Sequence, residues 1–237
     1  MKKQLFKSFS AVIILLLTFT ASFAQETANL LLNKVYKKTQ KAQDYSVNAH
    51  IKVDLPFIKM LPIDAKIYVK QKDKFKVESK SIALVPRQGF DQISKMIADT
   101  NQFTCMMQGQ EVVGTTATKI INIIPLFDTT DLILGKLWID PLQNIVLKMQ
   151  LTTKSNGTIH TEYKYGTQIA YGLPDAMVFS IDVKKFKLPK IMGSDIHSKS
   201  DSENSPDEEK KKGKIYIDFT NYAINKGIPD AFFLNKK

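Results

Sequence analysis

Metal chemistry in this chain would have to come from three histidines, one cysteine and the carboxylates. His160 and Glu162 stand two apart in GTIHTEY, so on a strand they share a face and could reach one metal ion. No third ligand stands at a suitable spacing, and their position favours a surface pair. His50 falls on the polar side of an alternating run, and His197 lies in a polar stretch. Cys105, in FTCMMQ beside Phe103, Met106 and Met107, has the surroundings of a small buried hydrophobe. There is no Gly-x-Ser-x-Gly, no phosphate-binding loop, no HExxH and no Cys-His pairing. Asp207-Glu208-Glu209 against Lys210-Lys211-Lys212 reads as solvated charge. The expectation is a protein that is not an enzyme and needs no metal or cofactor, with a hydrolase built on His160 and Glu162 as the remaining catalytic reading.

Residues 1–24 read as a secretory signal peptide. Lys2, Lys3 and Lys7 precede the apolar run AVIILLLTF, and Ser22 and Ala24 suit cleavage after Ala24. The apolar run is shorter than the roughly 20 residues of a spanning helix. Gln25 stands where a lipid-anchored protein would carry Cys. Residues 25–237 then form a single domain in the periplasm, and one cysteine allows no internal disulfide, so stability rests on the core. Of the net charge of +11, three belong to signal-peptide lysines, which leaves +8. Arg87 is the only arginine among 34 basic residues. Dispersed lysine without arginine suits nucleic-acid reading poorly, so no nucleic acid is expected as a partner.

Helical spacing of Ala28, Leu31, Leu32, Val35 and Ala42 predicts a helix over 27–43. Thereafter the period is two. SVNAHIKVDL alternates Val47, Ala49, Ile51, Val53 and Leu55 against polar neighbours, and IDAKIYVK does so with Ile63, Ala65, Ile67 and Val69. KFKVESK follows, and further strands are predicted at 103–108, 110–114, 118–124, 136–140, 144–153, 158–166, 177–184 and 214–222. In 144–153 the shared face is Ile145, Leu147, Met149 and Leu151; in 177–184 it is Met177, Phe179, Ile181 and Val183. Such alternation marks antiparallel strands with one solvated face. Asn156-Gly157 predicts a tight hairpin turn, although Asn156-Gly157-Thr158 also has the pattern of a glycosylation sequon. Short helices are expected at 90–99 and 126–134, and a mobile polar loop at 194–213.

One phrase is written twice, GLPDA from Gly172 and GIPDA from Gly227. Each comes after a strand-like run, and each is expected to turn a corner into a further apolar strand. The fold class is therefore α+β: a large curved antiparallel sheet, an incomplete barrel, wrapped over an N-terminal helix and one or two short helices. Ten strands of ~17–20 Å, spaced ~4.8 Å apart, present an inner face of about 900 Å². One helix of about 17 residues covers only about 250 Å² of it. The uncovered apolar surface is a candidate ligand cavity, lined by Val47, Ile51, Val53, Ile67, Val69, Leu147, Met149, Leu151, Phe179 and Ile181. At the tip DLPFIKMLPID, the apolar residues Phe57, Ile58, Met60 and Leu61 either pack inward or contact a partner or membrane.

The order of segments resembles the outer-membrane lipoprotein-sorting (LolA-like) family. The likeness rests on KDKFKVES, GQEVVGTTATKIINIIP and KLWIDPLQNIVLKMQLTTKSNGTIHTEYKYG over most of 27–184, and on the closing FTNYAINKGIPDAFF. The resemblance implies a half-barrel over helices in the periplasm, whose apolar cavity holds a lipid or the acyl chains of a lipoprotein. It also implies an envelope membrane protein as a possible partner. Family carriers hold a helical lid with an Arg on an early strand; here the early strands carry only Lys, and Arg87 sits in VPRQG. Relatives of this fold also act as sensors that bind a protein partner, which is the alternative function.

Composition alone yields one prediction. Limited proteolysis should cut first between Ser194 and Lys212 and leave the two pieces associated, because that stretch buries almost nothing against roughly 1–2 kcal/mol per residue of backbone entropy. First cuts elsewhere would mean the stretch is docked.

Overall fold

Strand alternation this regular needs hydrogen-bonded neighbours on both sides, and the chain supplies them within one sheet. The computed structural model describes residues 28–55, 58–71, 74–79, 102–128, 130–155, 157–182 and 212–234. Helix α1 occupies residues 28–39 and leads through a turn into β1 (Asp44–Leu55). Then come β2 (Ile58–Lys59), β3 (Ile63–Lys70), β4 (Lys74–Ser79), β5 (Phe103–Val113) and β6 (Thr116–Pro125). After them stand β7 (Leu132–Asp140), β8 (Ile145–Thr153), β9 (Gly157–Lys164), β10 (Ala176–Asp182) and β11 (Lys212–Ile224). The strands pair in the order β4-β3-β1-β11-β10-β9-β8-β7-β6-β5, and β2 folds back onto β1. Neighbours in that order run antiparallel, and the curved sheet stays open. Ala28, Leu31, Leu32 and Val35 of α1 join a single apolar cluster with the inner face of the sheet. This is the α+β architecture that the alternation implies.

Local chemistry explains the connections. In WIDPLQN, the Asp140 carboxylate accepts the amides of Leu142 and Gln143 at 2.8 and 3.1 Å, and Asn144 closes the turn at φ 52°. Lys38, near the end of α1, donates to the carbonyl of Gln143 in that same turn at 2.6 Å. Gly172 holds φ 67°, and a Cβ there would stand 3.3 Å from Thr39 Cγ2, so the first GLPDA corner is also where α1 ends against the sheet.

Four expectations need correction. Residues 126–134 are not helical: bends and a turn precede β7, which begins at Leu132. Here Asp128 pairs with Lys154 at 2.5 Å, and Asp131 accepts the Ser155 amide at 3.0 Å and its hydroxyl at 2.6 Å. These acids tie down the end of β8 instead of capping a helix. The two strands expected at 103–108 and 110–114 are one, β5, with a register shift between Met107 and Gly109. Lys212 and Gly213 open β11 and do not belong to the polar stretch. The second repeat, GIPDA, ends in a 3-10 turn at Asp230–Phe233, not in a strand. The signal peptide, the tip residue Phe57, the helix at 90–99, Arg87, Asn156, Val183 and residues 194–211 lie outside the described residues.

Gly166 supplies a test of this packing. A Cβ built there would sit 2.1 Å from Asp175 Oδ2, the oxygen that accepts the Thr167 amide at 3.2 Å. Gly166→Ala should turn the Asp175 carboxylate aside and break its bond from the Thr167 amide, lowering stability by about 1 kcal/mol in urea unfolding. Adding Asp175→Ala should cost little more. Equal stability of wild type and Gly166→Ala would contradict the close approach.

Candidate functional site

Register, more than any single residue, assembles the inner face. One cross-strand row runs Val53, Ile215, Phe179, Thr161, Met149, Leu137, Ile121, Met107, through eight strands. A second runs Ile181, Ile159, Leu151, Gly135, Ile123, Cys105, through six. Side chains of one row stand about 4.5–5.5 Å apart, so each row is an apolar strip, interrupted by Thr161 in the first and Gly135 in the second. Thr161 is the one hydroxyl in the first row and is fully buried. Beside it, Tyr163 donates weakly to Met149 Sδ at 3.9 Å, and burial holds its phenol well above the usual range.

Eight of the ten residues expected to line a cavity are brought together here. Val47, Ile51, Val53, Ile67, Met149, Leu151, Phe179 and Ile181 are each between 0 and 6% exposed. Val69 is half-buried against the same cluster. Leu147 is displaced. The β7–β8 register shifts between Trp138 and Ile139, leaving Leu147 as the unpaired residue, and Val146 takes the core position opposite Ile139. Ile121, Ile123, Leu137, Ile159, Ile215 and Ile217 stand outside the expected set, yet they share the face and are buried as deeply. They alternate in phase with the named residues, and that phase was the signal for them.

Exposure this low means that atoms pack against these side chains on all sides. The side chains of the inner face are therefore covered. From α1, Leu31, Leu32 and Val35 contribute to its cover. The tip of β1–β3 is divided: Met60 packs against the core cluster, whereas Leu61 is 86% exposed.

Polar groups elsewhere do not assemble chemistry. His160 and Glu162 lie on the outer face, opposite Gln150 and Lys148 of β8. Among the described residues no three His, Cys, Asp or Glu side chains could hold a metal ion. An open groove of about 780 Å³ crosses β1 and β3, bordered by Asn48, His50, Asp64, Lys66 and Glu78, with His50 Nδ1 2.8 Å from Asp64 Oδ1. On the outer face Trp138 is buried between the ammonium groups of Lys136 and Lys148, 4.7 and 4.6 Å from its ring, and donates to Glu111 Oε2 at 2.8 Å.

Solved structures share this architecture. A LolA superfamily protein from Nitrosomonas europaea is similar with a TM-score of 0.56 at 10% identity, over 88% of this chain and 97% of that one. A domain from Vibrio parahaemolyticus, assigned to outer membrane lipoprotein sorting, is similar with a TM-score of 0.57 at 8% identity, over 88% and 97%. A DUF1329 family protein from Desulfovibrio piger is similar with a TM-score of 0.55 at 12% identity, over 89% and 97%. No protein-family model matches the sequence, and no curated protein matches it significantly. The likeness is one of fold: the chain shares the architecture of these solved structures.

Cys105 reports on whether the face opens. It ends the second inner row, and burial pushes its thiol up to about 11. At pH 7.5 the native protein should react with a thiol reagent orders of magnitude more slowly than the urea-unfolded chain. Equal rates would show that the row is open to solvent.

Proposed function

We propose that this chain, folded as the LolA superfamily is, is an exported periplasmic binding protein that carries a lipid or the acyl chains of a lipoprotein on its inner apolar face. The observation that supports this reading is the length of the two inner rows. A strip through eight strands, apolar except for Thr161, matches an extended hydrocarbon chain in shape and chemistry. Each buried methylene contributes about 0.8 kcal/mol, so ten of them reach about 8 kcal/mol. That gain has to offset both the entropy of binding and the separation of the inner face from its cover. Side chains this deeply buried make the second cost real, and binding then becomes a population shift in which an open form is selected. Leu61, exposed at the tip, is placed to touch an envelope membrane protein or a bilayer.

A second reading, a periplasmic regulatory module that binds a protein partner, has one observation in its favour. Side chains 0–6% exposed are what an ordinary core also presents.

Variants of the cover separate the two. Leu32→Ala should cost about 2–5 kcal/mol of stability, with Val35→Ala the milder change. If α1 competes with the ligand for the inner face, both variants should nevertheless bind a fluorescent long-chain fatty acid at least threefold more tightly than wild type. Unchanged or weaker binding by variants still folded by circular dichroism would overturn the carrier reading. A stoichiometric protein copurifying with wild type, which itself binds no fatty acid, would favour the regulator.

A further inference from the structure

The two copies of the repeated phrase meet different fates, and the difference exposes a site. In the first, the chain continues into β10 and Asp175 serves its own turn. In the second, the Asp44 carboxylate anchors the turn by accepting the amides of Lys226 and Gly227 at 3.0 and 3.1 Å. The chain beyond then crosses the outer side of β3 and β4, with β4 at one end of the strand order.

A set of cations receives it. Lys70 Nζ donates to the carbonyl of Ile228 at 2.7 Å and to Asp230 Oδ1 at 2.6 Å. Lys74 Nζ reaches Asp230 Oδ2 at 2.5 Å, and Lys76 Nζ donates to the carbonyl of Phe232 at 3.1 Å. The Phe232 ring lies 4.6 Å from that of Tyr68, with the Lys76 ammonium 4.0 Å from its centroid. Hydrogen bonds from Lys70 and Lys74 hold the Asp230 carboxyl at about 2.

These contacts are specific yet weakly held. Asp230 is 65% exposed, and ion pairs in solvent are individually weak. Without the segment, three ammonium groups and an aromatic ring would face water together, a surface complementary to an acid followed two residues later by an aromatic. We propose that Tyr68, Lys70, Lys74 and Lys76 form a docking site for an acidic-x-aromatic peptide segment of a partner protein, which the free chain fills with its own Asp230–Phe232. The tail acts as a tethered competitor, present at an effective concentration in the millimolar range. Partner binding is therefore coupled to tail release. This inference does not depend on what the inner face binds.

The test uses a fluorescein-labelled peptide, GIPDAFFL, and full-length protein. Wild type should bind it weakly. Asp230→Lys and, independently, Phe232→Ala should bind it at least tenfold more tightly, because the competing tail is released. Adding Lys70→Glu and Lys74→Glu to Phe232→Ala should abolish binding, as should placing Lys at the Asp of the peptide. Equal binding by wild type and both tail variants, or binding that survives the charge reversals, would overturn the proposal. So would displacement of the peptide by inorganic phosphate at matched ionic strength as readily as by unlabelled peptide, which would make the site a general anion patch.

Discussion

An open antiparallel sheet with most of its large aliphatic side chains on one side has to be covered, and that constraint governs the rest of this molecule. Along the inner face, rows of Ile, Leu, Val, Met and Phe cross from β1 to β5 without a charged residue. Leaving such a face in water would forfeit roughly 1.5–3 kcal/mol for each large side chain. α1 is placed to meet this demand: its apolar stripe enters the cluster, its Lys38 ties to the β7–β8 turn, and its end rests on Gly172. The proposed carrier function requires that α1 can leave the face, so that whatever replaces it must be equally apolar.

Much of this was legible in the residues because the side-chain period of a strand is two and each run kept its phase. Val47 through Leu55 and Ile63 through Val69 all sit on the side that the alternation implies. The phase fails where a residue is inserted. Leu147 alternates with Met149 in the sequence, but a bulge against Trp138 and Ile139 hands its place to Val146. No local feature of NIVLKM distinguishes a bulged pairing from a regular one, since the shift is decided by the partner strand. LFDTTDLIL misleads for a related reason. Its acids lie before an apolar run as helix caps do, yet they bond to Lys154 and Ser155, residues more than 20 positions away. Depth of burial was the least legible feature: alternation says which side chains point inward, whereas how far each is covered depends on the elements laid over the sheet.

The repeated pentapeptide carries a related lesson. Gly172 and Gly227 share the left-handed conformation, with φ 67° and 79°, so the corner itself is a property of the phrase. The path of the chain past the corner is not. Ala176 enters a strand between β9 and β11, whereas Asp230 meets Lys70 and Lys74 at the margin of the sheet and the chain coils there. Tertiary surroundings decide whether the same residues become strand or surface tail.

Crystals grown with a terminally brominated long-chain fatty acid would test the central claim most directly. The account predicts an anomalous bromine peak in van der Waals contact with Met149, Leu151 or Phe179, with α1 shifted from its place in the apo protein. Bromine found only on the outer face, or no peak at saturating ligand, would show that the rows are a permanent core and that this protein does not carry acyl chains.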